Sequence, residues 1–264
     1  MTRVLVTGGT GVLGRDLVRR LIGVGAGHTV RVMSRQAAPP PELHGVEWSV
    51  ASLRSGRGLR EAVAGVDVIV HAATSPFRQT HAVDVDGTRR LLTHAAAANV
   101  KHFIYVSIVG IDQIPLGYYR SKLAAEGIVA RGSVPWTILR ATQFHSLLDR
   151  QLTLLARFPL SLLPTDFRFQ PVDAGEVAAR LAEVAIHSPT GRVPDLGGPR
   201  VHTMGELARI WLDVRGLRRR IFHLPLPGRV AEGFRRGFNT APAHADGKIT
   251  WEEWVRRRYA MVLK

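Results

Sequence analysis

The sequence predicts a doubly wound α/β fold: a parallel sheet with helices on both faces, followed by a smaller, mainly helical C-terminal lobe. Short β-branched or aromatic runs alternate with helical stretches through the first 140 residues, which is the rhythm of strand and crossover helix. Three glycines at a spacing of three follow the first run directly. After Arg140 the rhythm breaks, with Pro159, Pro164 and Pro171 interrupting short apolar pieces. A chain of 264 residues that is 45% hydrophobic and 22% charged can fill one sizeable core or two unequal lobes, which excludes disorder.

Val4 to Thr7, Val30 to Met33, Val66 to Val70 and Phe103 to Ser107 read as buried strands, with Trp136 to Leu139 and Val46 to Val50 as two more. Val12 to Ile22, Thr80 to Ala98 and Tyr118 to Ala130 read as the helices between them. Asp173-Ala-Gly-Glu176, Thr203-Met-Gly-Glu206 and Thr250-Trp-Glu-Glu253 each resemble a capping box that opens a helix. The expected division is a first domain over 1–145, to which segments of 170–200 return, and a substrate lobe over 146–168 and 200–264. There is no repeat, and Pro39-Pro40-Pro41 is a loop.

The absence of cysteine excludes disulfides, thiolate metal sites, iron-sulfur clusters and thiol nucleophiles. The apolar run after Met1-Thr2-Arg3 is too short for a signal or a membrane span, so a soluble protein of the cytoplasm is expected, with no membrane partner. The formal charge is +15, nearly all of it arginine, because lysine occurs only at Lys101, Lys122, Lys248 and Lys264. The arginines are scattered and cluster only at Arg218 to Arg220 and Arg256 to Arg258, which argues for solvated faces and against a nucleic-acid partner.

Gly8, Gly11 and Gly14 lie in Thr7-Gly-Gly-Thr-Gly-Val-Leu-Gly14, between the first strand and the first helix. With 26 glycines in the chain, chance alone yields such a triplet about 0.2 times, so the spacing gains its weight from that context. There glycines permit a tight turn, close approach of the backbone to a pyrophosphate, and close packing of helix on strand. Open amides at the helix start then face the anion. Gly8, Thr10, Gly11, Val12, Leu13 and Gly14 are therefore assigned to a dinucleotide. A plain strand-to-helix turn is the structural alternative. Met33-Ser34-Arg35-Gln36 closes the second strand without an acid, which favours NADP over NAD, with Arg35 on the 2′-phosphate and Ser34 as a hydroxyl donor.

Tyr118 and Lys122 stand four apart on one helix face, and Ser107 ends the preceding strand. Lowering a tyrosine pKa from about 10 to neutrality requires roughly 4 kcal/mol of preference for the phenolate. An ammonium about 4 Å away, at an effective dielectric near 20, supplies about that much. Tyr118 is thus expected as general acid/base, Lys122 as the charge that lowers its pKa and holds the nicotinamide ribose, and Ser107 as the donor to the reacting oxygen. Packing on the aromatic and solvation of the lysine are the bland alternatives.

Taken together, Thr7-Gly-Gly-Thr-Gly-Val-Leu-Gly14, Tyr118-Tyr-Arg-Ser-Lys122 and Asp86-Gly-Thr88 resemble the short-chain dehydrogenase/reductase superfamily. Trp136-Thr-Ile-Leu-Arg140, Gln143-Phe144 and Phe169-Gln-Pro-Val-Asp173 resemble its extended or atypical NmrA-like branch. The resemblance implies a Rossmann-type domain, a nicotinamide cofactor, and Ser107, Tyr118 and Lys122 as a catalytic triad. It also places His71-Ala72-Ala73-Thr74 along the cofactor, with no metal site. Where the family carries an acid after the third strand, this chain has Ala51-Ser52-Leu53, so Ser52 and Leu53 are left to meet the adenine. Where the family has asparagine before Gly-Thr, this chain has Asp84. Ser107 and Tyr118 are also only eleven positions apart.

The expected function is an NADP-dependent oxidoreductase that moves a hydride between the cofactor and an apolar carbonyl or quinone-like small molecule. Phe77, Ile108, Val109 and Phe144, with Leu147 at the margin, are expected around that substrate. The alternative is a non-catalytic NAD(P)-binding sensor of the NmrA type that acts through protein partners. Helices 80–98 and 118–130 are candidates for a family-style homodimer seam.

Overall fold

The computed structural model of the chain describes residues 2–23, 28–157 and 161–260. β1 (Thr2–Thr7) turns into α1 (Val12–Gly23), followed by β2 (His28–Ser34), β3 (Glu47–Val50), α2 (Leu59–Val63) and β4 (Val68–His71). A π-helical turn, His81–Val85, runs into α3 (Asp86–Ala97), and β5 (His102–Ile108), α4 (Gly117–Ala130) and β6 (Trp136–Ala141) follow. Beyond these come α5 (His145–Leu155), β7 (Ser161–Leu163), β8 (Arg168–Phe169), α6 (Ala174–Ala185), β9 (Gly191–Arg192) and β10 (His202–Thr203). The described chain ends with α7 (Met204–Val214), β11 (Ile221–His223), α8 (Arg229–Arg236) and α9 (Trp251–Ala260). Among the described residues, no helix is long and apolar enough to cross a membrane.

Seven strands form one parallel sheet in the order β3-β2-β1-β4-β5-β6-β9, the expected doubly wound arrangement. β1 lies between β2 and β4, and Val4, Leu5 and Val6 are at most 1% exposed because both of its faces are covered. Leu5, Ile69 and Phe103 sit side by side across three strands. Together with Leu59, Leu91, Leu92, Ala125 and Val129 from α2, α3 and α4, they form one apolar layer. α1 buries Leu13, Leu17, Val18 and Leu21, spaced three and four apart.

The chain divides into two compact units. One comprises Met1–Ser107, Gly117–Leu139 and Val177–Val193; the other comprises Ile108–Leu116, Arg140–Glu176 and Pro194–Lys264. Segments 108–116 and 140–145, expected in the first domain, group with the second unit. Val109 N–H there donates to the Ala141 carbonyl at 3.1 Å. At Gly110, where φ is +82°, a Cβ would stand 2.2 Å from the Phe238 carbonyl oxygen. The second unit centres on Trp211 and Trp251, each 1% exposed. Their indole N–H groups donate to Asp149 Oδ1 at 2.8 Å and to the Leu207 carbonyl at 3.0 Å.

Several elements depart from the sequence reading for local reasons. The capping boxes at Thr203/Glu206 and Thr250/Glu253 are present as reciprocal hydrogen bonds. At Asp173 the carboxylate accepts from Gly175 N–H, while Glu176 accepts from Lys248 and Ile249 N–H, so that box does not form. α2 is five residues long, too short to register as a helical period. The helix expected over 80–98 begins as the π turn instead.

Gly14 sets the closest approach of α1 to its loop: a Cβ there would lie 2.1 Å from the Gly8 carbonyl oxygen and 2.6 Å from Gly9 Cα. Gly14→Ala is expected to cost about 1–3 kcal/mol by overpacking, a fall of roughly 3–10 °C in Tm. Gly23→Ala, which meets nothing within 4 Å, serves as the control and should leave Tm unchanged or slightly raised.

Candidate cofactor and catalytic site

The strand registers place Met33, Thr7, His71 and Tyr105 at one level across β2, β1, β4 and β5. Just beyond that level Gly8 and Ala72 leave the sheet at its carboxyl edge, Ser34 ends β2, and β5 runs on to Ile108. In open parallel sheets this edge carries the ligand crevice.

At that edge Gly8 takes φ +71° and accepts from Gly11 N–H at 2.9 Å, closing the turn before α1. A Cβ at Gly8 would stand 2.8 Å from Ala73 N and Cα, so the loop and the end of β4 touch backbone to backbone. Gly11 and Val12 are exposed at the helix start, which leaves its amides open to an anion. Ser34 is 9% exposed and its Oγ accepts from Gln36 N–H at 3.2 Å, while Arg35 is exposed. A dinucleotide diphosphate fits this cradle: the backbone is bare where it must approach, and the arginine stands at the end of β2.

Beneath the cradle runs a buried chain of hydrogen bonds whose directions are all fixed. Thr88 Oγ1 donates to the Asp84 carbonyl at 2.6 Å, so it can only accept from His71 Nε2 at 3.0 Å. Burial, and then the charge of Lys122, push the His71 pKa down to about 3. The ring is therefore neutral, and Nδ1 accepts from Thr7 Oγ1 at 2.7 Å. Thr7 Oγ1 in turn accepts from Ala73 N–H at 3.2 Å. These contacts tie the ends of β1 and β4 to the π turn and the first turn of α3.

The π turn presents Asp84 inward, where it is closed to solvent. Its Oδ1 accepts from Thr74 Oγ1 at 2.5 Å and its Oδ2 from Ser75 N–H at 2.9 Å. Thr74 Oγ1 also meets the Tyr118 hydroxyl at 2.9 Å. Because the single threonine proton goes to Asp84, the phenol is the donor in that contact. Burial, opposed by the Thr74 hydrogen bond and reinforced by the Asp84 charge, raises the Tyr118 pKa above the ordinary phenol value.

Lys122 is buried, donates to the Val106 carbonyl at 2.7 Å, and lies over the Tyr105 ring with Nζ 4.0 Å from its centre. Burial lowers its pKa to about 8 against the pull of Asp84 and Glu126. Ser107 is 2% exposed and its Oγ finds no partner among the described residues, as is true of the buried Tyr105 hydroxyl. A buried hydroxyl left unpaired costs about 1–3 kcal/mol, a cost that a hydrogen bond to a ligand oxygen would remove.

A family model for NAD(P)H-binding domains matches residues 8–156, more than half of the chain. The chain belongs to the NAD(P)H-binding family. The resemblance of this family member to the extended, NmrA-like short-chain dehydrogenase/reductases is borne out, as is the NAD(P)-binding character of its first domain. The photosystem II assembly factor Ycf39 of Trieres chinensis is 26% identical over 234 residues, 84% of this chain and 72% of its own. The ceramide reductase of Caulobacter vibrioides is 28% identical over 243 residues, 87% and 76% of the two chains. The NADPH complex of the Escherichia coli quinone oxidoreductase QOR2 shares the fold. Its TM-score is 0.82 at 20% identity, with 97% of this chain and 99% of that one covered.

Within this member of the NAD(P)H-binding family, Ser107, Tyr118, Lys122 and Thr74 all belong to the first unit. One electrostatic expectation is corrected: what bears on the Tyr118 pKa is burial, Thr74 and Asp84, and the result is a rise instead of a fall. The lysine is spent on Val106 and Tyr105. Ser52 Oγ accepts from Ser55 N–H in its own loop, and the Leu53 carbonyl accepts from Arg90 of α3 at 3.1 Å, so both polar groups expected at the adenine already have a partner. Phe77 is 77% exposed, while Val109 is 4% exposed within the second unit, which also holds Ile108, Phe144 and Leu147. The sequence reading did not foresee the contact of Asp84 with Thr74. A carboxylate in place of the family's asparagine was its only signal.

His71 makes stability depend on pH. Its folded pKa of about 3 lies below the unfolded value of 6.5, so between those limits the unfolded chain binds more protons. Stability should therefore fall as pH drops from 6.5 towards 3. His102 and His145, both lowered to about 4 chiefly by burial, add to the same slope. Urea unfolding at pH 7 and pH 5 checks this, and His71→Gln, which keeps a donor and an acceptor, should flatten the difference.

Proposed function

We propose that the chain is an NADP-dependent oxidoreductase of the cytoplasm that transfers a hydride between the nicotinamide and an apolar carbonyl or quinone-like small molecule. The observation that carries this reading is the Tyr118 hydroxyl, held by Thr74 at 2.9 Å in the unit that also contains Lys122 and the buried Ser107 hydroxyl. When bound, the dinucleotide supplies the hydride donor or acceptor. The protein's part is to bind, orient and move a proton. Gly8, Gly11 and Gly14 let backbone approach the diphosphate, and Ala72, Ala73 and Thr74 border it. Ser34 and Arg35 select the 2′-phosphate. Ser107 donates to the reacting oxygen, and Tyr118 exchanges a proton with it.

Lys122, held at Val106, fixes the ribose side of the site. The exposed ring of Phe77, in the same unit as Tyr118, favours an apolar acceptor over a charged sugar nucleotide. The ceramide reductase and the quinone oxidoreductase among its relatives and neighbours are consistent with that chemistry. A non-catalytic sensor is the second reading, favoured by the raised Tyr118 pKa and by the likeness to an assembly factor.

NADPH at about 100 times its Kd should stabilise the protein by about 2.7 kcal/mol, several degrees in Tm, with a smaller effect from NADH. Arg35→Ala should erase the difference between the two. Across a carbonyl and quinone panel, Tyr118→Phe should lower turnover by about 100-fold or more. Tight NADPH binding with no turnover on any member of the panel favours the sensor.

A further inference from the structure

We propose that Asp84 is the terminal proton acceptor of the site, reached from Tyr118 through the Thr74 hydroxyl. The inference rests on the oxidoreductase reading and changes where its charge resides. The three groups form a continuous chain, 2.9 Å from phenol to threonine and 2.5 Å from threonine to carboxylate, with both protons pointing towards Asp84. Such a chain moves a proton without forming a phenolate. When a substrate alcohol is oxidised, its O–H proton bonds to the Tyr118 oxygen as the phenolic proton passes to Thr74 Oγ1. The threonine proton moves at the same time to Asp84 Oδ1, while the carbon-bound hydride leaves to the nicotinamide. Carbonyl reduction runs the same path backwards, with protonated Asp84 as the source.

Three further observations fit. The phenol is hard to ionise where it stands, so a path that keeps it neutral avoids the obstacle. Lys122 donates to Val106 and lies on Tyr105, not on Tyr118. Asp84 is closed to solvent while Thr74 is exposed, so the acid refills or empties through the same hydroxyl. The titratable groups that act on this chain are Tyr119 and Lys122 from α4 and Tyr105 from β5; Glu126 acts on Lys122 and Tyr105, and His71 of β4 meets the charge of Lys122. Thr74 and Asp84 are positioning and relay residues, and of these three groups Tyr118 is the one that meets the substrate.

The test has one readout that needs neither cofactor nor substrate. In cofactor-free protein labelled with 13C at the tyrosine Cζ, the Tyr118 signal should differ between the wild type and Asp84→Asn at one pH, and that difference should shrink in the Thr74→Val background, because Thr74 links the phenolic proton to the carboxylate. Coincident signals in the wild type and Asp84→Asn overturn the proposal, whatever the turnover. The second readout is kcat/KM of alcohol oxidation with its solvent deuterium isotope effect. Asp84→Asn should lose at least tenfold in rate and change the isotope effect, and Thr74→Val should lose tenfold, with Thr74→Ser restoring most of it. A rate and isotope effect that persist unchanged in Asp84→Asn also overturn the relay. Should Asp84→Asn fail to fold, Thr74→Val at its exposed position carries both readouts. A coupled NMR response without turnover on any carbonyl or quinone sinks the oxidoreductase reading and leaves the proton path standing.

Discussion

One neutral imidazole fixes the geometry on which the site depends. His71 is closed off from water, accepts from Thr7 at the end of β1 and donates to Thr88 in α3. Thr88 in turn holds the carbonyl of Asp84. Each hydrogen in this chain has one direction open to it, so the glycine loop, the end of β4 and the π turn are locked into a single mutual arrangement. A protonated ring would place two donors where one acceptor is needed, and burial ensures that it stays neutral. The price of this lock is a dependence on pH that surface histidines do not confer.

Electrostatics at the tyrosine follow from that arrangement more than from the helix that carries it. Four-residue spacing puts Tyr118 and Lys122 on one side of α4, but side-chain reach decides what each touches. Lys122 turns to a strand carbonyl and an aromatic face, while Tyr118 turns to a threonine whose proton is already given to a carboxylate. A phenol beside a buried carboxylate resists ionisation, because the second negative charge would sit close to the first with little water to screen it. The group with the means to accept a proton is the one two hydrogen bonds away.

Much of the fold was legible in the residues. Runs such as Val4 to Thr7 and Phe103 to Ser107 are apolar on both faces because helices cover both faces, and that pattern is local. The glycine loop was legible for the same reason, since bare backbone is required wherever Gly8 meets Ala73. α2 escaped notice because five residues do not complete two helical turns. Asp173 has the spacing of a capping box, yet Glu176 is drawn to the amides of Lys248 and Ile249, more than seventy residues away. No window of sequence contains that competition. Asp84 was visible as a departure from the family's pattern, whereas its partner Thr74 lies ten positions earlier, in a different element, and only the fold brings the two together.

The π turn itself has a consequence for how this chain tolerates change in length. Such a turn holds one residue more than a regular helix over the same span. Removing a residue between His81 and Val85 would restore an ordinary helix and leave α3 in place, but everything on its N-terminal side would swing by about 100° around the axis. The carboxylate would then face elsewhere while the sheet, the glycine loop and the apolar layers stayed intact. A single codon lost there separates a protein that folds and holds a dinucleotide from one that also has an acid behind its tyrosine.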